Sequence, residues 1–250
     1  MQEFKEWDLK QTEHNLKIME EFKANRKRLQ DGRYQVCLPW NEKVDEVSTN
    51  CDLALHRLRM LIRRFRKEPE FYQRYKKAID ELITLQVIKK VDMDFVKKAK
   101  KGVFFPHHCV SKPERITTPD RVVWDGSAHE AGKEPINRAL EEGPNLLPPL
   151  QCVLMLCRQG KHLVTGDLKK AFFQVALDPE DKVLLFMYWW EENPETKQME
   201  ISIYWFVRLP WGLNCSPFIL QAAIRCHGED HLDKLNPEDP VYQVLKDLLQ

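Results

Sequence analysis

The sequence predicts an α+β fold on three observations. Its first third carries helically spaced apolar residues. Two pairs of β-rich runs joined by polar turns come later. Strands and helices do not alternate regularly, which argues against a doubly wound sheet. The 250 residues are enough to bury a core, and 43% of them are apolar, so a wholly disordered chain is excluded.

The elements follow in order. Residues 3–30 lack Pro and Gly, and Phe4, Leu9, Leu16, Met19 and Phe22 give a loose helical period ended by Asp31-Gly32. Residues 34–40 read as a short extended segment. A second helix spans 47–67, with Leu53, Leu55, Leu58, Leu61, Ile62 and Phe65 as its apolar side. Pro69 starts a third, about 69–86, with Tyr72, Tyr75, Ile79, Leu82 and Ile83 on one face. Residues 103–110 and 121–124 form a hairpin around the Pro/Thr-rich turn 113–120, and 125–145 is a Gly/Pro-punctuated loop. A helix covers 147–158. The apolar run 162–165 is a short strand that ends at Gly166-Asp167, and a helical turn or two follows. Residues 183–190 and 201–209 form a second hairpin with an acidic connector. Ser216 caps a helix running to about Cys226, with Pro217 in its first turn, and 238–250 reads as a short amphipathic helix.

The net charge of +1 hides an asymmetry. Residues 1–122 carry 27 Lys+Arg against 19 Asp+Glu, and residues 123–250 carry 12 against 19. A basic half suits phosphates and an acidic half suits cations; the alternative is plain fluctuation along the chain. Six basic residues fall within 57–67 and six lysines within 89–101. Such clusters either track phosphates with a steep salt dependence or are solvated faces. Seven cysteines occur without a C-x-x-C pair, which argues against a zinc site or a disulfide framework and for thiols in a reducing, cytoplasmic setting. No apolar run approaches ~18 residues, so no membrane contact is expected. His107 and His108 are adjacent on a strand and face opposite ways, so no shared metal site is expected.

Three segments stand out for chemistry: 121–125 (RVVWD), 164–174 (VTGDLKKAFFQ) and 208–218 (RLPWGLNCSPF). Asp167 at a strand end offers a hard oxygen ligand to Mg²⁺, or else caps the following helix. Phe172, five residues on, comes beside the same site if the chain turns helically. Gly212 lets the backbone approach a planar ligand, or simply makes a tight turn. Arg121 alone reads as a solvated strand residue, and Asp178 and Asp181 as local caps or pairs.

Together and in this order, the three segments resemble the reverse transcriptases of LTR retroelements, most closely the Pol polyproteins of Pao (BEL-type) retrotransposons. The resemblance also takes in Gly32-Arg33-Tyr34-Gln35-Val36-Cys37-Leu38-Pro39-Trp40, residues 105–113 with 121–128, and Gly143-Pro144-Asn145-Leu146-Leu147 with Leu150; it covers roughly residues 30–227. It implies a partial right-hand polymerase: a helical linker over 1–45, a fingers-like region over 46–146 and a partial palm over 147–250. It implies RNA-directed DNA polymerase activity with two Mg²⁺ (or Mn²⁺) ions, and an RNA or DNA template–primer and a dNTP as partners.

By the same resemblance Asp167 is the first metal-binding and catalytic aspartate, joined by the carbonyl of Leu168. Phe172 packs against the sugar, Arg121 pairs with the triphosphate, and Ala171 approaches the nucleotide through its backbone. Pro210, Trp211 and Gly212 line the nucleotide pocket. Asp125, Ser216 and Pro217 face the template, and Arg63 and Arg64 meet template–primer phosphates. Two departures stand beside these matches. Trp211 sits where Phe or Gln is more usual. No Asp-Asp pair occurs anywhere, although the family places a Tyr/Phe-x-Asp-Asp hairpin downstream, about where the chain reaches Gln250. One carboxylate cannot hold two Mg²⁺ ions against water and mutual repulsion, so this chain alone is expected to be inert. The other functions in view are a non-catalytic nucleic-acid-binding remnant and a host-recruited protein-interaction module. An incomplete palm is also expected to leave a strand edge and apolar surface open to self-association.

Overall fold

A computed structural model describes residues 2–111, 120–159, 161–163, 165–232 and 234–238, with Tyr242 and Lys246. The fold is α+β with small mixed sheets. Its main sheet has four strands in the order β3 (Ile88–Val91), β9 (Met199–Phe206), β8 (Leu184–Glu192), β4 (Gly102–Phe104). The hairpin expected from 183–190 and 201–209 is β8–β9, antiparallel from Phe186↔Trp205 to Glu192↔Met199. Strand β4 runs parallel to β8 and β3 antiparallel to β9. Residues 184–189 are buried without a break, and a strand covered on both faces needs such an apolar run.

Two helices pack against this sheet. In α2 (Cys51–Lys67) the residues Ala54, Leu58, Ile62 and Phe65 are buried; in α3 (Pro69–Thr84) they are Phe71, Tyr75, Ile79 and Leu82. Phe65 lies with ring centroids 5.3–5.8 Å from Phe71, Tyr72, Tyr75 and Trp189, and Tyr75 stacks on Trp189 at 5.3 Å. Each such pair adds about 0.5–1.5 kcal/mol beyond its buried area. The helix expected from residue 47 starts only at Cys51, because Val47 is extended and Asn50 is left-handed (φ 56°).

Helix α1 (Gln2–Asn25) ends earlier than its period suggests. Asp31-Gly32 does not end it; the pair forms the turn between β1 (Lys27–Arg28) and β2 (Tyr34–Val36), with Gly32 at φ 82°. Strand β2 then pairs in parallel with β7 (Ala176–Leu177). Two buried aspartates reinforce this junction. Asp178 accepts from Lys27 Nζ at 3.0 Å, and Asp181 accepts from Leu38 N and Trp40 Nε1, both at 2.8 Å. Both aspartates do bond locally, to Glu180 N and Lys182 N, yet their main partners lie more than 140 residues away.

The run 103–110 is two strands rather than one. Strand β4 ends before Pro106, which has no N–H to continue the ladder, and β5 (His107–Ser111) pairs with β6 (Asp120–Trp124) as the expected hairpin. Most of its turn lies outside the described residues, as does most of the 238–250 helix. The apolar run at 162–165 is not a strand in any described residue, since nothing pairs with it and Leu163 is exposed. Several short elements have no counterpart in the sequence reading, among them β1, β7, β3 and α4 (Met93–Lys98), the last capped by Asp92 accepting from Phe95 N. The remaining α-helices named here are α5 (Leu150–Cys157) and α6 (Ser216–Leu232). No helix among the described residues is long and apolar enough to cross a membrane.

His107 is buried while His108 is exposed, as strand alternation requires. Its Nε2–H donates to the Tyr188 carbonyl at 2.8 Å, and its Nδ1 accepts from the Tyr75 hydroxyl. Burial pushes its pKa down to about 4. An unfolded chain takes up this proton below about pH 6.5 while the folded chain resists it. Stability is therefore flat in this term above pH 6.5 and falls from there toward pH 4, by on the order of 3 kcal/mol. Urea unfolding of wild type and His107→Gln across that range checks it; parallel profiles would refute it.

Candidate functional site

The three singled-out segments, far apart in sequence, meet at one place. Trp211 is the centre. Its ring lies 5.3 Å from Trp124 and 4.6 Å from Phe173, and its Nε1–H donates to the Val122 carbonyl at 2.7 Å. Just past the second segment the chain is tied by backbone to the third and the residue before it: Leu209 N donates to Val175 O at 3.0 Å and Leu177 N to Val207 O at 3.1 Å.

Glycine is required at two contacts here. A Cβ on Gly212, whose φ is 101°, would sit 2.4 Å from the Trp124 carbonyl oxygen. A Cβ on Gly126 would sit 2.4 Å from the Gly212 carbonyl oxygen. Gly212 thus passes close to the backbone of β6, and the ligand approach that its sequence setting suggested is taken by protein. Asn137 closes the arrangement: its Nδ2 donates to Gly212 O at 3.1 Å and its Oδ1 accepts from Asn214 N at 3.1 Å. Nothing in the sequence beyond an Asn in a Gly/Pro-punctuated loop pointed to it. Ser216 does not cap α6 as expected from its place before Pro217. Its hydroxyl donates to the Pro210 carbonyl at 2.7 Å and fixes the turn.

The remaining residues sit around this centre. Arg121 is exposed on β6, opposite Val110. Asp125 follows that strand and accepts from Arg57 of α2 at 2.6 Å, a partner the sequence did not signal. Ala171 and Phe172 are half-buried in a 3₁₀ turn over Ala171–Gln174, and Phe173 rather than Phe172 faces Trp211. Pro210 is buried and Pro217 exposed at the start of α6. Arg63 and Arg64 are exposed on α2, with Arg64 paired to Glu68 and held 4.0 Å over the Phe71 ring.

Asp167 and Leu168 are exposed, on a stretch without regular structure, six residues before Phe173. Asp167 is therefore at no strand end and caps no α-helix. Among the described residues no group of three or more His, Cys, Asp or Glu could hold a metal ion. The described residues do not fit a two-cation site. The built part is a rigid platform that brings Arg121, Asp125 and the 171–174 turn within one region. No protein-family model matches the chain, and no curated protein matches it.

Gly212→Ala should cost about 2–4 kcal/mol, since it combines left-handed strain with a backbone clash. Gly132→Ala, also at positive φ (76°) but in open space, should cost only about 1 kcal/mol. Thermal or urea denaturation of the pair compares them; equal losses would mean the Trp124 contact carries no energy.

Proposed function

We propose that the chain is the fingers and part of the palm of a reverse transcriptase of the Pao retrotransposon type, acting in the cytoplasm. It binds an RNA or DNA template–primer and a dNTP, and this chain by itself does not polymerise. What supports the reading is that Val122 and Trp124 of the 121–125 segment and Phe173 of the 164–174 segment meet Trp211 of the 208–218 segment, because the resemblance gives each of the three a residue at the nucleotide; Asp167 stands apart from this meeting point. In it Arg121 meets the triphosphate as a planar donor, and the 171–172 backbone and ring lie beneath the sugar. Pro210, Ser216 and Pro217 shape the turn next to the template. Trp211 and Gly212 act through packing.

Chemistry is a separate matter. Mg²⁺ or Mn²⁺ would need carboxylates in addition to Asp167, and among the described residues none forms such a group with it. This favours binding without turnover. Filter binding of a poly-rA/oligo-dT duplex should show affinity that falls steeply with salt, and primer extension with Mg²⁺ or Mn²⁺ should show no product. Incorporation abolished by Asp167→Asn would overturn the inert part; no affinity at low salt would overturn the whole reading and favour a protein-interaction module.

The same proposal includes self-association. Leu147, Leu150, Leu154, Met155, Leu163 and Leu168 are large apolar side chains exposed within 22 residues of sequence. Sedimentation should show dimers or larger species that Leu150→Glu with Leu154→Glu reduces; a monodisperse monomer of the wild-type chain would count against it.

A further inference from the structure

One face of α2 carries a site outside the motif centre. A cleft of about 360 Å³ lies between α2 and the β8–β9 hairpin, lined by Arg59, Arg63, Arg66, Ile62, Trp190, Met199, Glu200 and Ile201. Arg59, Arg63 and Arg66 follow an i, i+4, i+7 spacing, which puts three guanidinium groups on one stripe about 10 Å long. Their neighbours on the helix are already committed: Arg57 to Asp125 and Arg64 to Glu68. No carboxylate among the described residues forms an ion pair with the three in the stripe; Arg63 reaches only the Met60 sulfur at 3.5 Å, and Arg66 lies 5.7 Å over the Trp190 ring. The single acid in the cleft, Glu200, is taken by Lys90 at 3.3 Å and Asn193 at 2.8 Å.

Opposite the arginines, the hairpin supplies an apolar surface. Met199 and Ile201 are 40% and 39% exposed, although a β-hairpin next to a helix can readily bury such side chains. Trp190 is half-buried beside them, against Phe65 and Tyr72. The cleft thus places unneutralised planar cations along one wall and an aromatic and aliphatic surface along the other. A ligand matching both has regularly spaced anions and flat apolar faces.

We propose that this cleft binds a short run of single-stranded nucleic acid, with phosphates on Arg59, Arg63 and Arg66 and a base against the Trp190–Met199–Ile201 surface. Planar guanidinium groups pair with phosphate oxygens, and bases lie on apolar and aromatic side chains without regard to sequence. An acidic peptide would satisfy the arginines but leave the apolar wall unmatched. The inference rests on the nucleic-acid reading of the chain for its ligand class and shares Arg63 with it, but its other residues lie outside the motif centre, at the far end of the hairpin.

Fluorescence anisotropy with a fluorescein-labelled oligo-dT of eight nucleotides tests it, on chains whose folding is checked by circular dichroism. The triple variant R59Q/R63Q/R66Q should weaken binding at least tenfold and reduce the slope of log affinity against log salt by about 2. Met199→Glu with Ile201→Glu, on exposed positions, should also weaken it at least tenfold. K17Q/K133Q/K182Q, equal in charge lost but remote from the cleft, should stay within twofold. Equal loss in the two triple variants would overturn the proposal in favour of diffuse electrostatics. Tighter binding of a poly-Glu peptide than of the oligonucleotide at the same salt would overturn it in favour of a protein ligand. Retained duplex affinity, with oligo-dT binding unchanged by R59Q/R63Q/R66Q, would remove this site alone; loss of all nucleic-acid affinity in the wild-type chain would remove the wider reading as well.

Discussion

The close approach of Gly212 to the Trp124 carbonyl sets the geometry of the whole centre. With no Cβ and a φ of 101°, the turn can lie flat on the end of β6. Only from there can the Trp211 indole slot between Trp124 and Phe173 and send its N–H to Val122. Asn137 then satisfies the Gly212 carbonyl, whose oxygen lies close against Gly126. Each residue type has a single reason: glycine for the approach, tryptophan for a large ring with one donor, asparagine for an acceptor and a donor on one short arm.

A second constraint ties the N-terminal segment to this centre. Asp181 is buried, and burial pushes its carboxyl above the usual range even though three N–H donors stabilise the charge. A buried carboxylate is costly unless its lone pairs are matched, and the Leu38 amide, the Trp40 indole and the Lys182 amide match them. Residues 34–40 are thereby fixed beside β7, the strand that leads straight out of the 171–174 turn. The link explains why a seemingly detached stretch near residue 35 belongs to the same body as the motif segments.

Long periodic elements were legible in the sequence, and contacts made across it were not. The stripes of α2 and α3 and the β8–β9 hairpin follow from apolar spacing and a polar connector alone. The end of α1 was misplaced because Asp31-Gly32 suits a hairpin turn as well as a helix stop, and only pairing with Gln35 and Tyr34 decides between them. The run 103–110 split because Pro106 separates two ladders that differ in partner, a distinction no local pattern contains. At the site, the convergence of three segments is consistent with their being singled out together. The roles of Asn137, Arg57 and Phe173 depend on partners 38 to 77 residues away, which spacing cannot show.

The molecule separates what is positioned from what is not. Around Trp211 every neighbouring segment is held by rings, backbone bonds or a glycine contact. The stretch from Leu150 to Leu168 has the opposite character: Leu150, Leu154, Met155, Leu163 and Leu168 all face solvent, and Asp167 lies among them. A cation ligand is effective only when packing and hydrogen bonds fix it in place before the ion arrives. Among the described residues, no surface packs over these apolar side chains or over the Asp167 carboxylate. A surface that buried those leucines would also limit where the Asp167 carboxylate can go.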